Sequence, residues 1–144
     1  MNAAEQASSI LFASKIAATV GLCKAELPDL KADLKPWAND PGVRSLIDPD
    51  SVDIGFHFPG LSRLFQCRSL LIQIRLHQDI ESEQRRAIGL EVAGFDHKGQ
   101  QWRLSTINNW QFEGVMTPEP NSGESLRNCC RQVFEVFNQS PPAA

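Results

Sequence analysis

Leu70-Leu71-Ile72-Gln73-Ile74-Arg75-Leu76-His77 carries an apolar side chain at every even position and, from Gln73 onward, a polar one at every odd position. Successive strand residues point to opposite faces, so this is the pattern of a strand with one buried face. Residues 64–116 repeat it. Ala87 to His97 would place Ile88, Leu90 and Val92 inward, and Asp96-His97-Lys98-Gly99 then offers a turn whose glycine can take positive φ. The returning strand sets Trp102 and Leu104 against Arg103 and Ser105. After Asn108-Asn109, another has Trp110 and Phe112 inward, Gln111 and Glu113 outward. Upstream, Val52, Ile54, Phe56 and Phe58 alternate with Asp53, Gly55 and His57, until Phe58-Pro59-Gly60 ends the run. Clean alternation of this kind indicates an antiparallel sheet covered on one side only.

Helical spacing brackets the sheet. Ala4 to about Leu22 places Ala7, Ile10, Leu11, Ala17 and Val20 along one side of a first helix, and Leu27, Leu30, Leu34 and Trp37 recur at three- and four-residue steps as a second. Asp40-Pro41 can cap and start a third, Pro41 to Ile47. At the other end, Asn121 and Glu124 have the spacing of a capping box. Leu126, Cys129, Cys130, Val133, Phe134 and Phe137 follow as an apolar stripe, closed by a left-handed Asn138. The polar run Gln78 to Arg86 reads as an exposed connection. The expected fold is therefore α+β: an antiparallel four- to five-stranded meander sheet with N-terminal helices and one C-terminal helix packed on one face. Residues 1–140 would form a single domain and 141–144 a disordered tail.

At 144 residues, with 42% hydrophobic and 22% charged side chains, the chain can bury one core without staples. A net charge of −3 gives no general attraction to nucleic acid or to anionic membrane, and neither is expected as a partner. Four cysteines without a CxxC pair or zinc-finger spacing fit a reducing compartment. The N-terminus lacks a basic stretch and Lys15 interrupts its apolar run, so a secretory signal is not expected and the cytoplasm is the expected location.

Strand parity puts His57, His77 and His97 on the polar face, with His77 at the opposite end from the other two, which disfavours a three-histidine metal site. It gathers His57, Cys67, His97 and Glu113 at one end, near Ser69 and Gln101, a set containing metal-ligand types and a thiol–imidazole combination. A polar sheet face carries such residues without any special role. Gln73, Arg75 and Arg103 complete the candidate binding residues on that face. No catalytic residue, metal site or cofactor is expected: GxSxG, HExxH and a glycine-rich phosphate loop do not occur. Asp48, Asp50 and Asp53 lack the central glycine and terminal glutamate of a calcium loop. Trp102, Trp110, Phe112 and Phe56 have inward parity and read as core rather than as a base-stacking platform. Adjacent Cys129 and Cys130 read as small buried hydrophobes.

Ala87-Ile88-Gly89-Leu90-Glu91-Val92, continuing through Gly99-Gln100-Gln101-Trp102-Arg103-Leu104-Ser105-Thr106 to Trp110-Gln111-Phe112, resembles small uncharacterised proteins of cyanobacteria over the C-terminal half of the chain. The resemblance implies a cytosolic protein of a photosynthetic bacterium and carries no functional residues with it. With no catalytic motif and a one-sided sheet, the expected function is non-enzymatic: a binding or assembly-adaptor protein. It would hold a protein partner or a second copy of itself on the polar sheet face or a sheet edge. The alternative is a small-molecule or metal-binding protein, in the extreme a simple hydrolase, with its site at the end of the sheet.

Overall fold

The structure, a computed structural model, describes residues 1–27, 29–38, 42, 47–81, 85–106 and 109–139. Helices α1 (Ala3–Gln6) and α2 (Ile10–Glu26) precede strands β1 (Lys31–Asp33), β2 (Ser51–Ser62), β3 (Cys67–Gln78), β4 (Arg85–Asp96), β5 (Gly99–Ser105) and β6 (Gln111–Gly114), and helix α3 (Pro120–Asn138) follows. The six strands form one sheet in chain order, every neighbour antiparallel.

The alternation in the sequence becomes rows across the sheet. Ile54, Ile72, Val92, Leu104 and Phe112 stand opposite one another on five successive strands. The adjacent row is Phe56, Leu70, Gly94, Trp102 and Gly114. Gly94 has to be glycine because the Trp102 indole lies where a Cβ would stand. Against these rows pack Phe12, Ile16 and Cys23 of α2 and Leu126, Cys129, Cys130, Val133 and Phe137 of α3, all in one core cluster. The two helices also touch each other, with Phe12 edge-on to Phe137 at 5.6 Å.

Several expectations change. The first helix is two, because Ala7, Ser8 and Ser9 leave the helix and the Ser9 hydroxyl accepts from Phe12 N at 3.1 Å as a new N-cap. The buried stripe of α2 is accordingly Phe12, Ile16, Thr19 and Cys23, while Ile10 is 89% exposed. Where a second short helix was expected from Leu27 to an end near Lys35-Pro36, Asp29 takes φ 70° and the chain extends into β1, which pairs with the edge of β2. This sixth strand explains the count above four to five. Ile88 is 58% exposed because the β3–β4 register passes from Arg75↔Gly89 to Leu76↔Ala87 and leaves Ile88 as the bulged residue. Trp110 is not in a strand. It and Asn109 form a turn with φ 60° and 53°, held by Arg127 Nε donating to the Trp110 carbonyl at 2.7 Å. The expected third helix over Pro41 to Ile47, the centre of the 78–86 connection and the 141–144 tail fall largely outside the described residues.

The end of α3 also differs. Glu119, not Asn121, is the N-cap, and its carboxylate accepts from Ser122 N at 3.1 Å, a bond that holds its pKa below the usual carboxylate value. Asn138 remains helical, and its amide does other work: Ala87 N donates to Oδ1 at 2.8 Å and Nδ2 donates to the Ala87 carbonyl at 3.2 Å. The side chain thus stands in for a neighbouring strand beside β4 and pins the end of α3 to the sheet. Asn138→Ala is expected to lower unfolding stability by about 2 kcal/mol, within the range for leaving buried backbone groups unpaired. Denaturant titration reads the loss, and hydrogen exchange at the Ala87 amide should accelerate. Unchanged exchange there would refute the assignment.

Candidate functional site

The face of the sheet away from α2 and α3 is built from the odd-numbered residues Ser69 to His77 of β3, Gly89 to Ala93 of β4 beyond the Ile88 bulge, and Arg103 of β5. Gln73 stands opposite Glu91, and Arg103 opposite Glu113. Arg103 Nη2 reaches diagonally to Glu91 Oε1 at 2.8 Å. Arg103 keeps 47% of its side chain exposed and Glu91 23%, so this is a surface pair. Arg75 lies beside Gly89 of β4 and pairs on its other side with Asp48, just before β2, at 3.2 Å. Four of the expected residues, Gln73, Arg75, Arg103 and Glu113, therefore share one polar face. Glu91 completes it; its place between Leu90 and Val92 in the alternation was the signal for it.

The other expected residues do not assemble. His57 lies opposite Ser69 and turns to Asp33, Nε2 to Oδ2 at 3.4 Å. His97 sits exposed in the β4–β5 turn, two strand spacings or roughly 10 Å across the sheet from the β2 strand of His57. Cys67 is fully buried in the core cluster. Counting parity through Pro59 and Gly60 placed it outward, but the β2–β3 pairing shifts between His57 and Ser62, and alternation does not carry across such a shift. Burial, with the nearby Asp96 charge second, pushes the Cys67 thiol up to about 12, the opposite of an activated nucleophile. No three His, Cys, Asp or Glu side chains among the described residues are grouped to hold a metal ion.

On β2 the outer face is closed. Ser51, Asp53 and Gly55 are all buried, with Pro36 and Asp33 against Gly55. Asn2 pairs with Asp53 along the strand edge and trades two hydrogen bonds with the Trp37 backbone, at 2.8 and 3.2 Å. The Asp53 carboxylate accepts from the Met1 amino group at 2.8 Å, from Ser51 Oγ at 2.8 Å and from Trp37 Nε1. Beside this corner lies a half-open concavity of about 470 Å3, lined by Met1, Asn2, Glu5, Trp37, Ala38, Ile47 and Pro49. The alternation read Asp53 as a solvated strand residue and gave no sign of this cover.

Among the described residues no helix is long and apolar enough to cross a membrane. No curated protein and no solved structure matches the chain. A family model matches residues 4–139, nearly the whole chain, and the protein belongs to that family, which is described as a domain of unknown function.

Proposed function

We propose that the protein is a non-enzymatic binding or assembly-adaptor protein of the cytosol that holds a protein partner, or a second copy of itself, on its open polar sheet face. The observation that supports this reading is that β3, β4 and β5 are covered by helices on one side only, whereas β2 is closed on both. Helices α2 and α3 bury one face, while Gln73, Arg75, Glu91, Arg103 and Glu113 line the other with side chains able to pair across an interface. At the margin of that face, β6 is a four-residue edge strand followed by Val115 and Met116, 83% and 48% exposed. The short edge limits strand addition, so contact at this margin would rest on the exposed apolar side chains of Val115 and Met116 beside the polar face.

Native mass spectrometry of the untagged protein from its own cells, compared with the denatured spectrum, tests the proposal; the resemblance to cyanobacterial proteins guides the choice of host. A multiple of the chain mass or an added protein is the expected result. Arg103→Glu should then reduce the bound fraction at least tenfold while shifting stability by no more than about 1 kcal/mol, because the Arg103–Glu91 pair is exposed. A chain that stays monomeric at high concentration and brings no reproducible partner would sink the reading. A second reading, a small-molecule binder, draws its support from the concavity at Trp37, whose volume of about 470 Å3 suits a small ligand. The same spectrum separates the two, since a bound ligand adds a small, fixed mass lost on denaturation.

A further inference from the structure

Three of the four cysteines meet where α2 and α3 cross, and neither the open sheet face nor the Trp37 concavity uses them. Cys23 Sγ and Cys129 Sγ lie 3.0 Å apart across 106 residues of chain, both completely buried, with Cys130 buried beside them. Their approach belongs to a rigid contact rather than to a loop. The far end of the same helix pair is held by Phe12 against Phe137 at 5.6 Å and by Lys15 Nζ donating to the Phe137 carbonyl at 2.9 Å. Cys23 lies in the last turns of α2 and Cys129 at the middle of α3, where each backbone is fixed by its own helix.

We propose that Cys23 and Cys129 are a dithiol modification site, which an oxidant of the peroxide class closes into an intramolecular disulfide that staples α2 to α3. A disulfide requires the sulfurs to approach to about 2.05 Å, so the pair has to close by about 1 Å. In the first step one thiol sulfur gives two electrons to hydrogen peroxide, the O–O bond breaks, and a sulfenic acid and one water result. In the second, the other sulfur attacks that sulfenic sulfur, the S–S bond forms, the S–O bond breaks, and the hydroxide leaves with the remaining thiol proton as a second water. The hydrogen bond with Cys129 and burial raise the Cys23 pKa, so that thiol stays protonated at neutral pH and both sulfurs are shielded from solvent. Closure is therefore slow beside that of an exposed sensor cysteine, and needs brief opening of the helix pair. The bridge would enclose the whole meander in its loop, restrict the unfolded chain over that length, and so raise the unfolding temperature.

This inference is independent of what the sheet face binds, and its main test uses the unsubstituted chain. The reduced full-length chain is treated with hydrogen peroxide, denatured, alkylated with N-ethylmaleimide, and then mapped as unreduced peptides. Two of the four thiols should resist alkylation, one linked pair of peptides should contain residues 23 and 129, and fragmentation should place N-ethylmaleimide on Cys130, leaving Cys129 as the linked residue. The melting temperature should rise by about 10 °C and return on treatment with dithiothreitol. Cys67→Ala should leave the linkage intact. Four alkylated thiols, oxidation to sulfinic acid without a link, or a link to Cys67, to Cys130 or between two chains would each overturn the assignment. A 23–129 link with an unchanged melting temperature would overturn the staple.

Discussion

Trp102→Ala is expected to lower unfolding stability by about 3–5 kcal/mol, the range for deleting a large buried aromatic side chain, and to be the most damaging single change in the sheet. Trp102 is fully buried and meets three kinds of neighbour. Its Nε1 donates to the Phe65 carbonyl at 2.7 Å, and its ring meets Phe112 edge-on at 5.3 Å and 78°. Its face covers Gly94. Truncation would leave a cavity, an unpaired carbonyl at the β2–β3 turn and a loosened β6, and the melting temperature should fall by about 10 °C or more.

Gly94→Ala tests the same contact from below. The added methyl meets the indole, and overpacking of that kind costs about 1–3 kcal/mol. The two changes should not add: with Trp102 already reduced to alanine, the Gly94 substitution should be nearly silent. Urea titrations of the four species measure the coupling. Additivity within about 0.5 kcal/mol would show that the indole does not rest on Gly94.

How far the sequence disclosed this core depends on the range over which alternation holds. Trp102 and Leu104 read correctly as core, as did Val52, Ile54 and Phe56 and the even residues from Leu70 to Leu76, because each lies in an uninterrupted strand. Parity failed where the ladder slips. Ile88 is thrown out by a bulge and Cys67 is buried beyond a register shift, while Trp110 packs against the core as expected but from a turn of positive φ rather than from a strand. Lys31-Ala32-Asp33 is too short to show any period. Leu27, the C-cap of α2, and Leu30, just before β1, kept helical spacing while serving as core contacts outside any helix. The polar face was legible for the same reason as the core, since Gln73, Arg75 and Arg103 occupy the complementary positions. The imagined cluster of His57, Cys67 and His97 was not, because it required parity to survive a hairpin. Contacts made by distant segments left no local trace: Cys23 with Cys129, Asn138 with Ala87, and Trp37 with Asp53.

The last of these carries the second large effect. Asp53→Ala is expected to cost about 3 kcal/mol, at the top of the range for leaving buried polar partners unpaired, since the Met1 end of the pair is partly exposed. The carboxylate is fully buried and serves the Met1 amino group, Ser51 and Trp37 together. Its removal does not orphan every donor. The amino group keeps the Asp48 carbonyl at 2.8 Å and Ser51 Oγ at 2.9 Å, and the serine hydroxyl keeps Asp48 at 3.1 Å. The Trp37 indole loses its acceptor on β2. Asp53→Asn preserves shape and one acceptor oxygen but not the charge, so it should lose about half as much. The damage should also be local. The Trp37 amide, bonded to Asn2 Oδ1 at 2.8 Å, should exchange faster, whereas amides in the β3–β4 ladder should change only with global stability. If Asp53→Ala shifts stability by less than about 1 kcal/mol and leaves Trp37 exchange unchanged, the carboxylate is not what closes the corner. If the corner opens as expected, the concavity beside Trp37 loses its wall, and a small molecule bound there should be released by this substitution while a partner on the Arg103 face stays bound.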